Sequence, residues 1–453
     1  MTICTLWNKT RDCKISSQIM GSVIPFLDRC KSLVLRLVHT KLIKDCDIGI
    51  IMKKFKLPFP YIMIIICGCG VYATTSGLIN CLGIFYSSFA EAMGTGIGAV
   101  SLALTIGKLT GGMCAAFMPH ILKNWNYKVI VLVGCIVSMA GISLCGFLNS
   151  FPMLVALEVL QAAGFCLLGT AFLSYFIGNW FAEGSGTALG IVMSSSGIFG
   201  AVMNPVFSRI MIALGWRKAV IILGLLSLLL CAPAFIYGTS RPESKGLRPY
   251  GEKEVAVQEE TPVENSSEKL PLDRKLIGII AIGFLSSVMA SMGNHMATYA
   301  KSLGFPLETA AFVVSACMVG NMTFKVLIGV LCDKLGAWKG NLVVYATVTM
   351  AALVMSFLPT SFIIVLVAAF FFGGVYGACT VAVSELTRYA FRKEDVSKAF
   401  SLSLIGNNLG FAVSGTFIGY AYDWTGTYRL GLLFLVGAGI VEMLSLFLLK
   451  KKE

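Results

Sequence analysis

Lys108 and Lys325 stand deep inside long apolar runs, where an ammonium group is costly unless water or a negative charge meets it. Each lies four residues ahead of a glycine, in Gly107-Lys108-Leu-Thr-Gly-Gly112 and in Phe324-Lys325-Val-Leu-Ile-Gly329. Asn321, Lys325, Gly329 and Asp333 recur at every fourth position and so share one helix face. At about 1.5 Å per residue Lys325 lies roughly 12 Å deeper than Asp333, near the middle of an apolar layer roughly 30 Å thick. An isolated lysine there costs about 2.5–3.5 kcal/mol, which a bound carboxylate would offset. Two further groups suit proton traffic. Glu158 is an acid inside another apolar run, either a counter-charge for a lysine or a proton site. His295, in Gly293-Asn294-His295-Met296, titrates ordinarily near pH 6.5 and serves either proton coupling or hydrogen-bonded packing. No nucleophile–base pair, metal-ligand set or phosphate loop is visible, so an enzyme is not expected, nor any cofactor.

The elements that carry these groups follow from composition. Of 453 residues 57% are hydrophobic and only 13% charged, which marks an all-α membrane protein. Twelve runs are long enough to cross a bilayer: 60–84, 97–118, 128–148, 152–178, 187–208, 217–237, 274–299, 307–331, 340–358, 361–387, 398–420 and 430–449. The short links between them leave no room for a water-soluble catalytic domain. Lys and Arg crowd the segments on the side of both termini, which the positive-inside bias assigns to the cytoplasm of a cell-membrane protein. The net charge of +13 is thereby explained by anionic lipid, and no nucleic-acid partner is expected. The fifteen cysteines lack paired C-x-x-C spacing and read as small buried residues.

Four segments result. Residues 1–58 form a polar, Lys-rich extension in which Met52 is a second candidate start and Ile24–Ile43 a candidate amphipathic surface helix. Residues 59–238 and 274–453 hold six runs each, and the polar stretch 239–273 reads as a cytoplasmic linker. The halves repeat: Lys108 matches Lys325, Gly164 and Phe181 match Gly374 and Phe391, and Gly215 matches Gly426. A tandem of six-helix bundles places a binding site between the halves at mid-membrane. The repeat puts the two lysines opposite one another, so they are expected to face one shared aqueous chamber.

Gly329-Val-Leu-Cys-Asp333-Lys334-Leu-Gly336-Ala-Trp-Lys339 resembles the G-x-x-x-D-[RK]-x-G-x-[RK] loop of the major facilitator superfamily. Asn179-Trp180-Phe181, Gly215-Trp216-Arg217 and Arg241-Pro242-Glu243 through Pro249-Tyr250-Gly251 are similar to the monocarboxylate transporter and oxalate/formate antiporter group. The resemblance spans about residues 59 to 450. It implies two pseudo-symmetric six-helix bundles that rock about a midplane site and move a small organic anion, a mono- or dicarboxylate. Proton symport and anion exchange are both open, and the chain is expected to act as a monomer in the lipid.

The group's Asp-x-x-x-Arg pattern is represented here by Asn321 and Lys325, and the nearest polar residues to an exchanger's eleventh-run lysine are Asn407 and Asn408. Lys108, Lys325, Asn321, Asn407 and Asn408 are therefore the expected substrate contacts, with His295 and Glu158 for proton coupling. Asp333, Glu385 and Arg388 resemble the family's cytoplasmic charge latch. The first half carries Ala116, Tyr175 and Gly178 at the matching places, so the latch is expected to be one-sided. Rival functions are an exporter of amphipathic compounds, which would need an apolar cavity, and a membrane sensor without net transport.

Overall fold

A computed structural model describes residues 57–115, 117–251, 273–358, 361–392 and 395–450. The N-terminal extension, with Met52 and Ile24–Ile43, and most of the linker lie outside the described residues. From Phe59 onward the chain is one compact unit. Among the described residues it is helical throughout, with one isolated backbone bridge between Phe181 and Tyr250.

Eleven helical segments are long and apolar enough to cross a membrane. In the first half these are α1 (Phe59–Met93), α2 (Ile97–Cys114), α3 (Tyr127–Phe147), α4 (Phe151–Trp180), α5 (Ser185–Leu214) and α6 (Trp216–Tyr237). In the second half they are α7 (Arg274–Ser302), α8 (Leu307–Leu335), α9 (Ala337–Phe357) and α10 (Phe362–Ala390), while the last, Arg429–Leu449, follows one further helix. That helix, α11 (Val396–Thr425), is unbroken over 30 residues. It is not among the eleven, and Asn407 and Asn408 at its middle lower its hydropathy. Arg429–Leu449 is α12.

Polar caps and turn residues set the boundaries. Asp273 accepts from the Leu276 amide at the start of α7 (2.8 Å), and Asn126 accepts from the Lys128 amide ahead of α3. Gly336 takes φ +80° between α8 and α9, which explains a glycine at that place of the loop motif. Between the ends, the helices show large apolar side chains outward, such as Ile236, Leu229, Val326 and Leu444, as a lipid-facing surface should.

The internal repeat is visible in the packing. In the first half α1 meets α5 and α6, α2 meets α4, and α3 meets α4 and α6; the second half repeats this with α7, α11 and α12, α8 and α10, and α9 with α10 and α12. The halves join along two antiparallel crossings, α2 with α11 and α5 with α8, and more lightly through α1 and α7. Two short π-helical stretches interrupt the ladders, Ala73–Gly77 in α1 and Ala378–Ala382 in α10. Such wide turns free a backbone carbonyl for other donors. In α10 that carbonyl is taken by Asn407 of α11, whose Nδ2 lies 3.1 Å from the oxygen of Cys379. Among the described residues the cysteines are unpaired and mostly buried.

The motif residues of the first half turn out to be partners of one another. Trp180 Nε1 donates to the Thr239 carbonyl (2.8 Å), Asn179 Nδ2 to that of Ser240 (3.0 Å), and Tyr61 Oη to that of Arg248 (2.7 Å). The start of the linker is thus strapped across the ends of α1 and α4. We call this side of the molecule the linker face and the other the far face.

Candidate functional site

Where α2 crosses α11, a small cavity of about 10 Å³, room for about one water, lies between the halves. Lys108 of α2 reaches its wall, with Nζ 5.2 Å from the ring centroid of Phe411 on α11. A cation over a ring is held by about 0.5–2 kcal/mol, loosely enough for a carboxylate to replace the ring as partner. Glu158 of α4 is buried behind α2, packed against Gly107 and outside the cavity wall. Its charge acts on Lys108 through space, but no ion pair within 4 Å forms between them among the described residues. The ammonium is therefore neither dry-paired nor turned to the lipid surface.

Hydroxyl and amide groups complete the wall. Thr105 Oγ1 donates to the Ala412 carbonyl (2.7 Å) and shares a contact of 2.7 Å with Thr416 Oγ1, so two threonines stitch α2 to α11. His295 of α7 is only 1% exposed. Its Nε2 is 3.2 Å from the Gly415 carbonyl and 3.4 Å from Ser101 Oγ, while Nδ1 is 3.4 Å from Tyr428 Oη. A carbonyl only accepts, so Nε2 carries the proton and Nδ1 accepts from the phenol. One imidazole thus reads three elements at once: α2, α11 and the turn before α12. Tyr86 packs its ring edge against it from α1.

Lys325 lies elsewhere. It is not among the residues lining that space, and its Nζ donates to the backbone carbonyl of Met193 on α5 at 3.3 Å. That carbonyl also accepts from Ser196 Oγ, so it is a local concentration of negative dipole in reach of the ammonium. Asn321, one turn away, is buried inside the second half; its Oδ1 has no hydrogen-bond partner and its Nδ2 has only a 4.0 Å contact with Met318 Sδ. Asn407 is committed to the α10 carbonyl, whereas Asn408 is exposed and faces Gly112 of α2, on the linker side of Phe411. The structure therefore gathers Lys108 and His295 at the cavity, sets Asn408 at its linker side, and leaves Lys325, Asn321, Asn407 and Glu158 out of its wall.

At the linker face Arg388 pairs with Glu385 on the same helix at 3.1 Å, and Asp333 stands exposed at the end of α8. All three belong to the second half. Tyr175 is exposed and Gly178 has open space where the first half would need charged counterparts.

Several wall residues escaped the sequence: Tyr86, Ser101, Thr105, Asn294 and Phe411. Nothing in their types or local spacing distinguishes them from helix-packing residues. Glu442 was also missed, although it is the only acid in its apolar run. It is 1% exposed in α12 and accepts a hydrogen bond from Ser286 of α7, wholly within the second half.

The chain is similar to known transporters over most of its length. Over 402 residues the chain is 24% identical to Monocarboxylate transporter 12 of Xenopus laevis, covering 82% of this chain and 84% of that one. Over 345 residues it is 24% identical to the Oxalate:formate antiporter of Oxalobacter formigenes, covering 72% and 78%. Among solved structures, the nucleoside transporter NupG superposes with a TM-score of 0.69 at 12% identity, covering 86% of this chain and all of that one. An inward-facing, unoccupied bacterial homologue of the human lysosomal transporter Spinster gives 0.66 at 14% identity, covering 87% and 98%. These neighbours share the fold. The sequence model of the Major Facilitator Superfamily matches residues 64–390, and with that the chain, a multi-pass membrane protein, belongs to this family of transporters rather than to any class of enzymes.

Proposed function

We propose that the protein is a secondary transporter of a small organic anion, a mono- or dicarboxylate, working by alternating access with proton symport or anion exchange. In this reading α11 completes twelve crossings of the cell membrane, the linker face is cytoplasmic, and both termini are cytoplasmic. The observation that carries it is the Lys108 ammonium, set on a small cavity between the halves with the face of Phe411 beside it and, among the described residues, no carboxylate within 4 Å. A carboxylate entering there gains a charge-assisted contact with Lys108, while the Ser101 and Thr105 hydroxyls, which donate to the Ile97 and Ala412 carbonyls, would have to turn from them to reach it. The cavity holds about one water as it stands, so the anion enters when the halves part, with Leu104 and Phe411 flanking its carbon chain. Likeness to a monocarboxylate transporter and an oxalate:formate antiporter supports the same cargo class.

His295 is the proposed proton-coupling group, because its ring bonds to both halves and a change of its protonation alters contacts that join them. Glu158 is a second candidate through its field on Lys108. Lys325, Asn321 and Asn407 would meet the anion only after the halves have moved. Asp333, Glu385 and Arg388 form a one-sided cytoplasmic latch.

The test is a thermal-shift screen of purified protein against small carboxylates and neutral metabolites at two pH values, followed by uptake into proteoliposomes. Carboxylates, and not neutral compounds, should raise the melting temperature, by an amount set by ligand concentration over Kd. Stabilisation by neutral or amphipathic compounds alone would sink the anion site and favour an exporter. Binding without flux would favour a sensor.

A further inference from the structure

The two crossings between the halves are not closed evenly along their length. On α5 and α8, Gly197 and Gly200 pack on Met318 at mid-helix, and Lys325 then reaches Met193. One turn closer to the linker, Gly190 and Gly329 follow on the same helix faces, and a side chain at either would meet nothing within 4 Å. The helices have diverged there. At the far end the reverse holds for α2 and α11: a side chain on Gly98 would strike the ring of Tyr420, and one on Gly419 would strike Ser101 and the backbone of Gly98.

Charge follows the same gradient. Asp423, at the end of α11, accepts from the amides of Ile97 (2.9 Å) and Gly98 (2.7 Å), the first turn of α2. Its carboxylate lies so close to Gly96 that a side chain there would displace it. Arg209 of α5 pairs with Glu308 of α8 at 3.8 Å, and Lys301 of α7 feels the charge of Glu91 in α1. All three contacts join one half to the other. At the linker face Arg388 pairs with Glu385 within a single helix.

We infer that Asp423, seated on the N-terminus of α2, is the main element of a far-face clasp that holds the protein closed on that side and open towards the linker. The fit between a carboxylate and two free amides with an aligned helix dipole exists only while the far face is shut. Opening that face exposes both partners, so the clasp sets the balance between the two access states. Arg209–Glu308 and Lys301–Glu91 are solvent-exposed and add less.

The clasp is tested independently of any substrate. Leu104 lines the cavity; Leu104→Cys is labelled with a membrane-impermeant maleimide applied from the far face of sealed vesicles, and the chain with Leu104 intact gives the blank. Asp423→Asn keeps an oxygen acceptor but removes the charge, and should raise the labelling rate roughly threefold. An unchanged rate in Asp423→Asn protein recovered at normal yield overturns the inference. Should that variant not be recovered, the exposed double change Arg209→Gln with Lys301→Gln decides: about a twofold rise supports the clasp, and no rise overturns it.

Discussion

Lys108 and Lys325 occupy equivalent places in the two halves, yet their surroundings differ. Lys108 looks across α2–α11 at the face of Phe411 and a space with hydroxyl and imidazole groups. Lys325 looks across α5–α8 at a helix carbonyl and is held by it. Repeats copy the position of a side chain within its own bundle, but each lysine's partner comes from the opposite bundle, and those partners are not copies of one another. Pseudo-symmetry therefore delivered two half-buried cations, only one of which meets the cavity.

This contrast can be broken by mutation. The largest effect is expected from Lys108→Gln: apparent affinity for small carboxylates in proteoliposome uptake should fall at least about tenfold, the scale of one lost charge-assisted hydrogen bond. Lys325→Gln should lower it by less than about threefold, since Gln can still donate to the Met193 carbonyl. Equal losses in the two variants would restore a shared chamber and refute the asymmetry. Next, His295→Gln should flatten the pH profile of uptake while leaving expression intact; an unchanged profile would make the ring a packing group. Phe411→Leu removes the resting partner of Lys108 and should change apparent affinity only about two- to fourfold, which uptake titration resolves. Smallest is Asn407→Ala, which removes the side-chain donor to the Cys379 carbonyl of the α10 π-turn and should cost about 1 kcal/mol in detergent unfolding, with a smaller loss of affinity than Lys325→Gln.

The uneven crossings sharpen the same point. Far-face residues of the two halves are tied by Asp423, Arg209 and Glu308, whereas at the linker face Arg388 and Glu385 pair within α10. The sequence suggested a latch at Asp333, Glu385 and Arg388 because those residues form a recognisable pattern. Asp423, in Tyr422-Asp423-Trp424, belongs to no pattern, and its partners are backbone amides that every residue type except proline provides.

Much of the architecture was legible beforehand. Hydropathy located each crossing to within a turn or so at most boundaries, because lipid forces any long apolar run to close its own hydrogen bonds as a helix. The one departure, α11, has a cause in Asn407 and Asn408, whose job is across-helix bonding and a polar surface rather than contact with lipid. Lys108 and His295 stood out because charge or titratability is rare in such runs. Ser101, Thr105 and Phe411 did not, since serine, threonine and phenylalanine are ordinary residues of a membrane helix. Thr105 acquires its role from Ala412, some 307 positions away.

Sequence alone thus determined the spanning helices, the twofold repeat, the family and the identity of the unusual charges, all properties fixed by local composition and periodicity. Only the tertiary structure decided which lysine meets the cavity, that Asn407 serves a backbone carbonyl while Asn408 stays exposed, and which face is shut. Those outcomes depend on how one bundle is docked against the other, and docking is set by pairs of residues roughly one hundred to three hundred positions apart whose chemistry is unexceptional until they touch.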